Sequence, residues 1–301
     1  MSMTDVEVLL DSLVRVLSTA IDARSPYNAN HTNNMARYAK NFISWLNAEG
    51  KETFDEERER QFLMSIWLHD IGKLVVPLGV MNKDSRLGLK LDGIIDRLQR
   101  FRMQAEIDFL RKDVDACEYE ARLVEIEYAG RLIENANKAW VLTEEDLAEL
   151  SVLGKKNIHG PDGMESYLTP DELISISVRK GTLTDDERQI MESHVLMTRL
   201  MLSKVKFPKS YSSVPIWATA HHEYLNGEGY PDGISAETIP IEVRMLTILD
   251  IFDALTAADR PYKPATPIDE TFAVLTDMAA NGKIDGHILE LFRQSESWKV
   301  F

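Results

Sequence analysis

An all-α fold of amphipathic helices, with a long helical hairpin inserted between two of them, is what this sequence predicts. Three observations carry the prediction. Apolar residues recur at three and four residues in most segments, Thr-x-x-Glu helix-start boxes stand at Thr169 and Thr184, and alternating polar and apolar runs are nearly absent. β-Structure is expected only as a short ribbon around residues 157–168.

From Asp5, the positions Val6, Leu9, Leu10, Leu13, Val16 and Leu17 mark a first helix to about Ala23. "SPYNAN" breaks it, and a second helix runs from near His31 to about Ala48, ahead of Gly50. A third starts near Phe54 or Asp55 and carries "RQFLMSIWLHDIGK" up to Gly72. Beyond Gly79 the texture changes. Ile107, Leu110, Val114, Cys117, Ala121, Val124 and Tyr128 alternate spacings of three and four, predicting one helix from about Leu91 to Asn137. Its apolar stripe needs cover, either from the segment opened by "TEEDLAEL" folded back as a hairpin or from the same helix in a second subunit, which would make a homodimer. "LGKKNIHGPDGMES" has loop composition. The box at Thr169 and Glu172, with Pro170 at the first helical position, and the box at Thr184 and Glu187 then restart helices. Later helices are expected over Pro215 to Tyr224, Pro240 to Ala258, Ile268 to Ala280 and Gly286 to Gln294.

The chain of 301 residues, 44% hydrophobic, can fill a real core. No eighteen-residue apolar run exists and the opening segment lacks signal-peptide order, so a cytoplasmic protein without membrane association is expected. The single cysteine, Cys117, excludes an internal disulfide and a cysteine-based zinc site, and its helical spacing predicts burial. A net charge of −15 argues against a basic face for polymeric nucleic acid. An anionic substrate would have to meet local positive charge, such as bound cations.

Five of seven histidines stand beside other ligand types in helical contexts: His31, His69 with Asp70, His194, and His221 with His222. Asp250 interrupts an apolar helical run, where an unpaired charge is costly. His159 and His287 read as surface residues. A lone histidine on an apolar face is more often a hydrogen-bonded core residue than a ligand, and a bare His-Asp pair is common. The concurrence of "HDIGK" with "HHEYLNGEGYPDG" is not. In the second stretch Gly227, Gly229 and Pro231 would hold a rigid turn beside the paired imidazoles.

In order, "HTNNMARYAK", "LHDIGKLVVP", "RKGTLTDDERQIMESH", "HHEYLNGEGYPDG" and "RMLTILDIFDALTAADRPYK" resemble the motifs of the HD-GYP phosphodiesterases, a branch of the HD superfamily of metal-dependent phosphohydrolases. The resemblance covers roughly residues 1–78 and 178–280. It implies an HD-type helical domain over 1–78 and 180–301, leaving 79–179 as a helical insertion, because loops rarely exceed about 15 residues without structure of their own. It further implies two divalent transition-metal ions, iron or manganese first, with nickel, cobalt or zinc as alternatives. His31, His69, Asp70 and Asp250 would hold one, and His194, His221 and His222 the other, with Asp70 bridging. Imidazole and carboxylate donors without thiolate suit such metals. The implied reaction is hydrolysis of a cyclic dinucleotide, cyclic di-GMP to linear pGpG or GMP, by a hydroxide shared between the metals.

Asp70 is the central catalytic residue of that scheme, and Lys73 is the phosphate contact, in place of its plainer role as a solvated lysine at a helix end. Arg260 and Lys263 match substrate-phosphate positions, while Gly229, Tyr230 and Pro231 border the cleft and offer a surface for a partner protein. Asp253 and Glu223 read as partners that orient ligands, or as local caps. Family members with a third metal carry a glutamate four residues before the first histidine. Tyr27 stands there, so two metals are expected. Nothing ahead of His31 is long enough for the sensor domain that often precedes this family's domain. Two other functions use the same residues: hydrolysis of another nucleotide phosphoester, and a low-turnover metal-containing module that binds a nucleotide for signalling.

Overall fold

The computed structural model describes residues 5–25, 30–257 and 265–299. Within them lie α1 (Asp5–Asp22), α2 (His31–Ala48), α3 (Glu56–Leu68), α4 (Leu78–Met81), α5 (Lys90–Arg111), α6 (Ala116–Lys138) and α7 (Glu144–Leu153). After strands β1 (Asn157–Gly160) and β2 (Gly163–Ser166) come α8 (Pro170–Ile176), α9 (Asp185–Leu202), α10 (Val214–Ala218), α11 (Ile241–Thr256), α12 (Ile268–Ala280) and α13 (Gly286–Ser295). The fold is all-α apart from one antiparallel ribbon, which pairs Asn157 with Ser166 and Gly160 with Gly163. Contacts group residues 1–78 with 190–301 as one unit and 79–189 as a second, so Lys180–Gln189 goes with the insertion.

In the first unit α11 is apolar on nearly every side, from Val243 through Phe252, and is buried accordingly. Against it pack α2, through Tyr38, Phe42 and Leu46, and α12 and α13, through Phe272, Leu275 and Phe292. Phe252, Phe272, Phe292 and Trp298 form one aromatic cluster with ring centroids 4.8–6.3 Å apart. α1 departs from expectation. Val14, Ser18 and Ile21 face the unit's interior, whereas Leu9, Leu10, Leu13, Val16 and Leu17, the residues that predict the helix, are exposed. The third predicted helix ends early: α3 stops at Leu68, and a 3₁₀ turn follows over Ile71–Val75. The helix expected over Pro215 to Tyr224 is only α10, ending at Ala218.

The second unit corrects the predicted single helix. Between α5 and α6 the chain turns at Lys112, whose φ of 65° is left-handed. Asp115 then caps α6 by accepting from Glu118 N at 2.8 Å. α5 therefore packs on α6, the C-terminal half of what reads as the same helix, through Ile94, Leu98 and Phe101 on one side and Ile126, Ala129 and Ile133 on the other. The stripe that suggested one long helix points outward: Leu110 is 71% and Val124 64% exposed. Cys117, in the first turn of α6, is exposed rather than buried for the same reason. Both Thr-x-x-Glu boxes form, Glu172 accepting from Thr169 N at 2.7 Å and Glu187 from Thr184 N at 2.8 Å.

One residue organises this unit. Arg86 is fully buried, and its guanidinium donates to the carbonyls of Val178 (2.6 Å), Ala136 (2.9 Å), Trp140 (3.2 Å) and Ala139, closing the C-terminus of α6. Arg86→Ala leaves these acceptors unpaired around a cavity and should cost about 3–5 kcal/mol in urea unfolding. Arg86→Lys, lacking the planar fork, should recover less than half. A loss below about 1 kcal/mol for Arg86→Ala would mean that the hub is dispensable.

Candidate metal centre

The first unit draws seven donors from five elements to one place. His31 is the first residue of α2, His69 follows α3, and Asp70 opens the 3₁₀ turn. His194 lies within α9, His221 and His222 follow α10, and Asp250 is on α11. The donor atoms fall into two clusters, His31 with His69 and Asp70, and His194 with His221 and His222, each within 4.8 Å. Asp70 stands between them, Oδ2 3.2 Å from His69 Nε2 and Oδ1 3.3 Å from His194 Nε2. His221 Nε2 is 3.9 Å from the same Oδ1. Asp250 meets both clusters, 3.2 Å from His31 Nε2 and 4.0 Å from His222 Nδ1. Donors about 2.1 Å from one ion stand about 3 Å apart at right angles, so this spacing suits coordination.

Backbone geometry aims the rings. His69, His194 and His221 each donate Nδ1–H to the carbonyl three residues back: Ile66 O (2.7 Å), Met191 O (2.7 Å) and Ala218 O (2.8 Å). That bond selects the tautomer whose Nε2 lone pair points inward. His31 is oriented by Asp253, one helical turn beyond Asp250, at 2.8 Å from Nδ1. Asp22 sets the start of α2 by accepting from Thr32 N (3.2 Å) and Thr32 Oγ1 (3.1 Å). Burial pushes the Asp22 carboxyl up, against the pull of His31.

Close approach of α9 to the His-Asp segment depends on Gly72. Its amide donates to Thr198 Oγ1 at 3.0 Å, and that hydroxyl donates to His69 O at 3.0 Å. A Cβ on Gly72 would sit 1.9 Å from His194 O and 2.6 Å from Thr198 N. On the opposite side Thr247 Oγ1 donates to His221 O at 2.8 Å. Sequence reasoning missed Asp22, Thr198 and Thr247. A signal existed for the threonines, since Thr198 is four residues after His194 and Thr247 three before Asp250, on the same helical faces.

Electrostatics favour a cation. Burial opposes the charge on Asp70, yet His69 and Lys73 hold its carboxyl well below the usual range. Burial likewise opposes a charged His31, but the Asp250 and Asp253 carboxylates push it up to about 10. Burial leaves His221 well below the ordinary imidazole value and His222 at about 4, so both are neutral donors at pH 7. Lys73 Nζ lies 2.5 Å from Asp70 Oδ2. His69 Nε2, His194 Nε2, His221 Nε2 and Asp70 Oδ1 are buried with no hydrogen-bond partner. Each such atom costs about 1–3 kcal/mol when left unpaired. Four of them gathered at Asp70, across the two clusters, form a donor set that fits metal ions.

Gly229, Tyr230 and Pro231 lie in the loop after His222, and the Tyr230 ring stacks on the His222 ring at 4.7 Å. Arg260, Pro261, Lys263 and Tyr27 lie outside the described residues. His159 is bound to Asp108 at 2.9 Å in the second unit, away from these clusters in sequence and grouping. No described helix is long and apolar enough to cross a membrane.

A family model described as an HD domain matches residues 165–288. The chain is 39% identical over 101 residues to the cyclic di-GMP phosphodiesterase response regulator RpfG of Xanthomonas campestris pv. campestris, covering 34% of this chain and 26% of the relative. It is 30% identical over 145 residues to 3'3'-cGAMP-specific phosphodiesterase 3 of Vibrio cholerae, 48% of this chain and 27% of the relative. A cyclic di-GMP phosphodiesterase of Thermotoga maritima is 32% identical over 128 residues, 42% and 33% respectively. The chain thus spans about a quarter to a third of the length of these relatives. His69 and Asp70 precede the matched range, with residues 79–189 between them and His194. The geometry supplies what the linear match leaves out: the His-Asp pair lies against His194, which falls within the stretch that matches the HD domain.

Proposed function

We propose that this chain is a metal-dependent phosphodiesterase that opens a 3',5'-linked cyclic dinucleotide, cyclic di-GMP foremost, to linear pGpG and then GMP. The observation that carries it is the convergence of three unpaired buried imidazole nitrogens, of His69, His194 and His221, on Asp70, whose Oδ1 is itself unpaired. His31, His69, Asp70 and Asp250 would hold one ion and His194, His221 and His222 a second, with Asp70 shared; iron or manganese fits, and nickel, cobalt and zinc are alternatives. Ions bound there would acidify water and neutralise charge on the phosphoryl oxygens.

The remaining work falls to side chains. Lys73, which pairs with Asp70, would meet a phosphoryl oxygen through its ammonium group. Asp253 keeps the His31 ring turned toward the site. Gly229, Tyr230 and Pro231, with Arg260 and Lys263, are proposed to receive the dinucleotide. A second reading, 3'3'-cGAMP as the preferred substrate, is favoured by the specificity in the name of the Vibrio cholerae relative.

Protein loaded with iron or manganese, with metal content determined on the same sample, should convert cyclic di-GMP to pGpG in chromatographic assays. Faster conversion of 3'3'-cGAMP would select the second reading. Full metal occupancy without product from either substrate would sink both and favour a nucleotide-binding module.

A further inference from the structure

His222 differs from the other four imidazoles. Of these five, within the described residues, it alone makes no hydrogen bond through its ring; His31 is held by Asp253, and His69, His194 and His221 by carbonyls. Its neighbours are rings: His221 at 4.1 Å, His194 at 5.2 Å and, on the loop side, Tyr230 at 4.7 Å with planes 30° apart. A ligand ring that nothing fixes would lose orientation each time the ion left, so stacking must do here what a hydrogen bond does elsewhere.

The loop that presents Tyr230 is itself tied to the ligand pair. Glu223, buried and directly after His222, accepts from Asp232 N at 2.7 Å and from Ile234 N at 3.1 Å. Tyr230 N donates to His222 O at 3.1 Å. At Gly229 a Cβ would lie 2.3 Å from Tyr224 N and 2.5 Å from His222 O, so only glycine lets the chain pass this close. From outside, Arg199 on α9 grips Asp232 with both terminal nitrogens, one at 3.0 Å. The loop is therefore closed on the segment it follows.

We infer that Glu223 and Tyr230 are positioning residues for the second ion: Glu223 folds residues 229–234 back, and the Tyr230 ring, so held, fixes the imidazole plane of His222. This rests on the metal reading of the site but not on the identity of the substrate. Loop and ion then form one unit, and anything that lifts the loop loosens the His194, His221 and His222 half while sparing the other.

Cobalt titration of the whole chain, followed by d–d absorption and metal content, reads this without turnover. Tyr230→Ala and Glu223→Gln should each weaken one equivalent of Co²⁺ by about 10- to 100-fold and leave the other unchanged. Tyr230→Phe should bind as the parent does, because the ring and not the hydroxyl carries the effect. The double variant should be no weaker than the worse single one, since both act through one stack. Parent-like cobalt binding by Tyr230→Ala, equal loss at both equivalents together with a lower melting temperature, or a Tyr230→Phe as weak as Tyr230→Ala would each overturn the inference. A parent that binds no cobalt would overturn it together with the metal reading. Parent binding without hydrolysis would remove only the proposed substrate.

Discussion

Gly72→Ala is expected to destabilise the first unit by about 3 kcal/mol or more and to cut hydrolysis by at least about 100-fold. The backbone conformation at Gly72 is not the obstacle, since its φ lies outside the left-handed region. The obstacle is space. The added methyl would overlap His194 O at 1.9 Å and Thr198 N at 2.6 Å, both backbone atoms that cannot swing aside as a side-chain tip could. α9 would have to move away from the 3₁₀ turn, breaking the bonds of Thr198 to Gly72 N and His69 O. His194 would then leave Asp70, and the two donor clusters would separate. Urea unfolding with metal content on the same samples tests this, and Gly79→Ala, with nothing within 4 Å of its Cβ, is the control. Parent-like metal content in Gly72→Ala would show that the close approach is not what builds the site.

Asp70→Ala should abolish activity by a factor on the order of 10⁴, because residues that act as one unit fail together. Asp70 contacts both donor clusters and Lys73 at once. Its removal would leave Lys73 and the ligand imidazoles around a buried space in which, of the two carboxylates that meet both clusters, only Asp250 remains to gather a cation. Asp70→Asn keeps the shape and one acceptor oxygen but not the charge. It should fold like the parent, by circular dichroism, and still hold less metal. Activity surviving in Asp70→Ala, or full metal content in Asp70→Asn, would refute the central place given to this carboxylate.

Much of the site was legible in the chain because metal donors come from few residue types and stand in compact motifs. "LHDIGK" and "HHEYLNGEGYPDG" name His69, Asp70, His221 and His222 without any folding. Most helices of the first unit were legible too, since periodicity and end signals are local: α2, α12 and α13 begin where the spacing and the residues ahead of them indicate. The insertion was harder. A stripe at three and four residues continues across a turn when the next helix resumes in phase, so Ile107 through Tyr128 read as one helix although Asp115 and Glu118 encode a fresh start.

What the sequence by itself determined is therefore the helical class, the donor chemistry and the absence of thiolate ligands. Only the tertiary structure decided which atoms of those donors are free. That depends on carbonyls at Ile66, Met191 and Ala218 taking one ring nitrogen each, on Thr198 and Gly72 allowing α9 to touch the 3₁₀ turn, and on a stacked tyrosine replacing the hydrogen bond that His222 lacks. These are contacts between distant segments whose strength comes from burial and close packing, and no local pattern in the chain encodes them.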